Sequence, residues 1–210
     1  MTSPGRIVVL NGAPRSGKSS IVAALQADPS GIWINLGVDM HMERMLPPRL
    51  LPGIGLRPGG ERPDLEPLLP SLFAALYESI AAHSRLGLDV VADVGHHDAY
   101  AQPLGMQVDA AHRLAGLPAL LVGVRCPLDI IMQRRRSDVS GRNYVSPGTG
   151  DEVPPPVRRW QEAVHEPGVY DLEIDTSVAS PEECAAAILA GFDAGLRKPS
   201  ALERIAARCG

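Results

Sequence analysis

The apolar residues of this 210-residue chain fall into two patterns. The first is a short unbroken run, as in Ile7-Val8-Val9-Leu10, which suits a central strand covered on both faces. Such runs predict strands over 6–11, 33–36, 89–93, 119–124 and 170–174. The second pattern repeats at helical spacing, clearest at Leu72, Leu76 and Ile80. It predicts helices over 19–26, 71–86, 106–115, 128–136 and 157–165, with a turn or two over 40–46. Ser180-Pro181-Glu182-Glu183 reads as a helix start. Ser180 caps, Pro181 takes the first helical position and Glu183 closes a capping box. That helix runs to about residue 194.

Strands alternating with helices predict one α/β domain: a five-stranded, mainly parallel sheet with helices on both faces. The domain spans 1–196, with a C-terminal tail over 197–210 that has some helical pattern and no clear role. Residues 47–70 are crowded with Pro and Gly, either a functional loop or a partly mobile one. No internal repeat or linker divides the chain.

Composition narrows the function. Apolar residues make up 45% of the chain, enough to build a core and exclude wholesale disorder. A net charge of −4 and only 4% aromatic residues argue against nucleic acid as a partner. No apolar run reaches the length of a membrane span, and no leader segment opens the chain, so the expected location is cytoplasmic with no membrane partner. Cys126, Cys184 and Cys209 fit neither a closed disulfide framework nor a zinc motif. A homo-oligomer stays open. Among 20 basic residues only Lys18 and Lys198 are lysine, and Lys18 lies in the most informative stretch.

That stretch is Gly12-Ala13-Pro14-Arg15-Ser16-Gly17-Lys18-Ser19, which meets G-x-x-x-x-G-K-[ST] at every fixed position, followed by Ser20. A buried strand leads in and a helix leads out. Glycines let consecutive N–H groups converge on phosphate oxygens, and the helix N-terminus adds partial positive charge. In this phosphate-binding loop (P-loop), Lys18 reaches the β- and γ-phosphates of a nucleotide and Ser19 ligates Mg²⁺. The implied cofactors are ATP and Mg²⁺. A P-loop also needs a carboxylate near the metal, and Asp93 closes the third predicted strand; the alternative is a strand-end or capping aspartate.

Asp39 follows the second strand in Gly37-Val38-Asp39. It suits a catalytic base for a substrate hydroxyl, or equally an N-cap. Arg134-Arg135-Arg136 and Arg142 suit an arginine lid over a transferring phosphoryl group, with Arg134 and Arg136 preferred; the alternative is a solvated basic face. His96 and His97 make a poor metal site; they either line a substrate pocket or sit on a surface loop without a role. Trp33, Trp160 and Tyr170 read as packing.

Several segments resemble chloramphenicol phosphotransferase. They are Ile7-Val8-Val9-Leu10-Asn11-Gly12 with Gly17-Lys18-Ser19, Gly37-Val38-Asp39, Asp93-Val94, Val122-Gly123-Val124-Arg125-Cys126, Val164-His165-Glu166, Tyr170-Asp171 and Glu173-Ile174-Asp175-Thr176. The resemblance spans about 6–194. It implies a P-loop kinase fold with the P-loop strand central and an arginine-bearing lid over about 127–160. The implied activity is ATP-dependent O-phosphotransfer to a small-molecule alcohol, such as an antibiotic. By the same resemblance Asp39 is the base, while Lys18 and Arg134 stabilise phosphate charge. The chain departs from the family pattern at Ala92, at His96-His97, in the 47–70 stretch and in its three successive arginines. Those departures shift substrate choice more than reaction type. Two other readings remain open: a metabolic kinase of a sugar acid, nucleoside or similar compound, and a nucleotide-binding regulator that transfers nothing.

Overall fold

The computed structural model describes residues 3–59, 61–137 and 153–209. Arg142 and the centre of the expected lid lie outside the described residues. The strands are β1 (Ile7–Asn11), β2 (Trp33–Asn35), β3 (Asp89–Val94), β4 (Ala119–Arg125) and β5 (Leu172–Asp175). The helices are α1 (Lys18–Ala27), α2 (Val38–Arg44), α3 (Leu69–Arg85), α4 (Met106–Arg113), α5 (Leu128–Arg136), α6 (Pro155–Ala163), α7 (Pro181–Asp193) and α8 (Ala201–Ala206).

The side-chain alternation of β1 builds two layers at once. Ile7 and Val9 enter one core with residues of α3, α4 and α8. Val8 and Leu10 enter another with residues of α1 and α7. A strand apolar on both faces can only sit inside a covered sheet, and β1 does. The order is β2-β3-β1-β4-β5, with every pair parallel. Leu10 pairs with Asp93, and Asn11 with both Val94 and Gly123, so the functional segments leave one carboxyl edge of the sheet. Ligands of open parallel sheets bind at that edge.

Two expectations change. The Pro- and Gly-rich stretch is structured: it makes short 3₁₀ turns at Pro48–Leu50, Gly53–Gly55 and Glu66–Leu68. Ile54, Leu56 and Leu65 anchor it in the core. The C-terminal segment also belongs to the packed body. Ser200 and Glu203 form a capping box, and Ala201, Leu202 and Ile205 of α8 are buried in the α3–α4 layer. The Ala201 N–H donates to Asp171 Oδ1 at 2.6 Å, tying α8 to the approach to β5. Lys198 pairs with Glu203 at 2.8 Å on the surface. Among the described residues no helix is long and apolar enough to cross a membrane.

Candidate active site

The loop between β1 and α1 is bent by backbone that few residues tolerate. Gly17 is the N-cap of α1 at φ +99°, and Arg15 adopts φ +68°. Gly takes such a φ at no steric cost, whereas Arg15 is strained. No side chain caps α1, so the first N–H groups of the helix remain available to an anion. Lys18 Nζ donates to the Gly12 carbonyl at 2.8 Å and to the Ala13 carbonyl at 2.9 Å. Burial pulls the Lys18 pKa down, and Asp93 and Asp39 oppose that pull.

The strained turn is held from β5 and α5. Thr176 Oγ1 donates to the Ser16 carbonyl at 2.6 Å. Arg134 donates through Nη1 to the Arg15 carbonyl at 3.3 Å and to Thr176 Oγ1 at 3.1 Å, and through Nη2 to the Thr176 carbonyl at 2.7 Å. Arg134 therefore braces the P-loop backbone. It also lines the cleft, as expected for a residue that would face a phosphoryl group.

The acidic side of the site comes from β3 and α2. Ser19 Oγ lies 3.4 Å from Asp93 Oδ2. Asp93 is buried, and Gly37 makes room for it: a Cβ on Gly37 would fall 1.7 Å from Asp93 Oδ1. Gly37, not Asp39, occupies the N-cap of α2, so the capping alternative for Asp39 is removed. Asp39 is exposed and faces the cleft.

The cleft measures about 750 Å³. It brings together Gly12, Pro14, Arg15, Gly17, Lys18, Ser19, Ser20, Asp39, Asp93 and Arg134. Ala13 and Ser16 are buried in the loop itself. Arg135 lines the cleft, whereas Arg136 is exposed and does not. Successive helical residues are rotated by about 100°, so three adjacent arginines cannot share one face. Ser19 and Asp93 supply hard oxygen donors of the kind Mg²⁺ takes, and Mg²⁺ completes its shell with water and phosphate oxygens rather than a protein cage. Among the described residues no group of three or more His, Cys, Asp or Glu side chains is placed to hold a metal ion.

The two histidines neither line the cleft nor sit on the surface. His96 is buried on Phe73, shares a hydrogen bond through Nε2 with the Tyr77 hydroxyl, and donates its own backbone N–H to Asn11 Oδ1 at 2.8 Å. Burial pushes its pKa down to about 3. His97 Nδ1 accepts from the Ala99 N–H at 3.2 Å, so its Nε2 carries the proton donated to the Leu56 carbonyl at 2.8 Å. His97 thus ties the 3₁₀ segment to the exit of β3. Asn11 ties β1 to the other side, donating to the Val164 carbonyl at 2.8 Å and to the Tyr170 hydroxyl at 3.0 Å.

Sequence reasoning missed Arg57, Thr176 and Trp160 as cleft residues, and it named Arg135 within the lid run without preferring it. Thr176 stands in a segment the resemblance had marked without assigning it a task. Trp160 carried only a packing expectation, and it does pack edge-on to His97. Arg57 had no local signal.

The sequence profile of the family described as Chloramphenicol phosphotransferase-like protein matches residues 5–193. A protein of Mycobacterium tuberculosis, provisionally named an O-phosphotransferase, is 27% identical over 195 residues, covering 86% of this chain and 79% of its own. Shikimate kinase from Acinetobacter baumannii has a similar fold, with TM-score 0.59, 14% identity and coverage of 93% of this chain and 97% of that one. So does the tunicamycin resistance protein of Deinococcus radiodurans, at TM-score 0.54, 16% identity and coverage of 92% and 97%. Fold and homology together give the chain a kinase-type phosphotransferase role. With a P-loop strand at the centre of a parallel sheet and a profile match over nearly its whole length, the chain belongs to the chloramphenicol phosphotransferase-like family.

Proposed function

We propose that the chain moves the γ-phosphoryl group of ATP to a hydroxyl of a small molecule, with Asp39 as the base. The observation that carries this reading is one cleft that Lys18, the N-terminus of α1 and the Asp39 carboxylate all line.

Backbone N–H groups of the P-loop and the Lys18 ammonium bind the β- and γ-phosphates. Ser19 and Asp93 would hold Mg²⁺, which neutralises phosphate charge when bound. Arg134 and Thr176 keep the loop in its strained shape. Arg135 takes the cleft position that sequence reasoning gave to Arg136. Asp39 accepts the proton of the acceptor hydroxyl as that oxygen bonds to the γ-phosphorus. The bond from the γ-phosphorus to its bridging oxygen breaks, and ADP leaves with the electron pair.

The family name makes a phenicol the first acceptor to try. The test is a panel of hydroxyl compounds, led by phenicols, with purified protein and Mg·ATP, read by mass spectrometry. A product heavier by one phosphoryl group, lost in Asp39→Asn, is the expected result. ATP binding with no phosphorylated product from any alcohol would instead favour a nucleotide-binding regulator.

A further inference from the structure

Asn11, Val164-His165 and Tyr170 lie in segments that carry the family resemblance, and none has a task in the chemistry above. The structure brings them to one buried point. Asn11 ends β1, where the alternation would place a core side chain, and it is 2% exposed. An amide buried in a sheet is tolerated when its polar atoms are matched. Here they are. Asn11 Oδ1 accepts from the His96 N–H at 2.8 Å, and Nδ2 donates to the Val164 carbonyl at 2.8 Å and to the Tyr170 hydroxyl at 3.0 Å. Both amide N–H donors and the amide oxygen are thereby in use.

The sequence prepares this meeting. Asn11 pairs with Gly123 across β1 and β4. A Cβ on Gly123 would fall 2.7 Å from the Tyr170 ring, so glycine leaves the space in which that ring lies. His165 Nδ1 shares a further hydrogen bond with the Tyr170 hydroxyl at 2.8 Å.

The partners of Asn11 lead to separate walls of the cleft. Gly12, the next residue, opens the P-loop and lines the cleft. His96 follows Gly95, which lines the cleft after β3. Val164 is the C-cap of α6, and its N–H donates to the Trp160 carbonyl at 2.9 Å. Trp160 lines the same cleft as Asp39. The walls fit closely where they meet: a Cβ on Gly95 would fall 3.2 Å from Trp160 Nε1 and 3.5 Å from the Gly12 carbonyl oxygen. β1 and β3 are joined by their ladder in any case. α6 has no ladder. Val157 and Val164 pack it on Ala13 and α5, and Gln161 donates to the Cys126 carbonyl at 2.9 Å. Asn11 adds the tie that runs from α6 to the root of the P-loop.

We propose that Asn11 is a positioning residue: its bond to Val164 seats the end of α6, and with it Trp160, at the spacing the acceptor needs beside the P-loop. The acceptor in this statement rests on the phosphotransferase reading above; the seat of α6 does not. Loss of the seat weakens acceptor binding and spares the nucleotide, which the P-loop backbone holds.

The test reads the seat and the acceptor separately. The full chain, with fluorinated tryptophan in place of tryptophan, gives a fluorine resonance for Trp33 and another for Trp160, assigned through Trp160→Phe. Trp33 is buried in the other core layer and is the control for the fold. Asn11→Leu fills the space without the three bonds. In it the Trp160 resonance should move and become sensitive to exchange of light for heavy water, while the Trp33 resonance stays in place and Mg·ADP affinity changes less than threefold. Tyr170→Phe keeps the Val164 bond and should move Trp160 less. Should Asn11→Leu fail to fold, Asn11→Ser replaces it, because its hydroxyl is one bond shorter than the amide reach to Val164. A Trp160 resonance that stays in place, or moves only together with Trp33, overturns the proposal. With an alcohol that the panel shows to be phosphorylated, the KM for that alcohol should rise about tenfold in the Asn11 variant, and the KM for ATP less than threefold. An unchanged alcohol KM, or equal rises in both, overturns the acceptor role. If no alcohol is phosphorylated, the transfer reading and the acceptor role fall together, and a Trp160 response leaves the seat of α6 standing.

Discussion

The two halves of the cleft are built by opposite means. The nucleotide half is almost one stretch of chain, from Gly12 to Ser20, and works mainly through backbone groups. The other half, which the proposed function gives to the acceptor, is assembled from the 3₁₀ segment, the exit of β3, α5 and α6, and presents side chains. Backbone recognition depends on φ and ψ, so a short motif specifies it wherever it occurs. Side-chain recognition depends on which distant segments are pinned together, so the pins decide it.

The largest expected effect tests the nucleotide half. Lys18→Ala should lower kcat/KM by about 1,000-fold, roughly 4 kcal/mol of transition-state stabilisation. Unchanged steady-state kinetics would break the P-loop reading. Asp39→Asn lies on the border and should lower kcat by about 100- to 1,000-fold, in the range for loss of a general base. ATP affinity, measured by titration, should stay within about twofold, because the base acts on the acceptor. Gly37→Ala should lose about 2 kcal/mol of stability and weaken Mg²⁺-dependent turnover, because its Cβ would overlap Asp93 Oδ1. Chemical denaturation and a Mg²⁺ titration of activity check both parts.

The acceptor half should be the more acid-sensitive. Burial holds His96 at about 3 in the folded protein, against an ordinary value near 6.5. His97 is lowered for the same reason, and burial brings His165 to about 4. Each is depressed on folding, so the unfolded chain binds more protons below about pH 6.5, and stability falls as pH falls. His96 alone should cost about 2 kcal/mol between pH 7 and pH 5. A Tm that is flat from pH 7 to 5 would contradict the buried neutral histidines. The smallest effect returns to the P-loop: Thr176→Val removes the bond to the Ser16 carbonyl, costs about 1 kcal/mol and raises the KM for ATP a few-fold.

This contrast explains what could be read from the sequence. The strands and main helices follow from uninterrupted apolar runs and 3.6-residue spacing, and the structure places all of them close to the expected bounds. The P-loop was legible because its chemistry is local. Asp39 was legible in position but not in role, since an aspartate two residues after a glycine also fits a cap; only the backbone showed Gly37 in that place. Of the two readings of the 47–70 stretch, a functional loop or a partly mobile one, the stretch does line the cleft through Pro52, Gly55 and Arg57, while its Pro and Gly density describes tight 3₁₀ turns anchored by a few buried residues such as Leu56. His96 and His97 misled because their partners, Tyr77 and Leu56, lie 19 and 41 residues away. Arg135 and Arg136 differ only in helical phase, which one residue of uncertainty in the start of α5 erases.

The fit of Gly37 against Asp93 has an evolutionary consequence. Gly37, two residues before Asp39, and Asp93 are in contact at a point where not even a methyl group fits. With the roles proposed above, proton acceptor and metal ligand therefore cannot be repositioned one at a time by small substitutions. The cover bearing Arg57 is different: it attaches through a few hydrogen bonds and buried side chains, each replaceable singly. A lineage with this architecture can change what it phosphorylates by editing the cover, while the chemistry passes down unaltered.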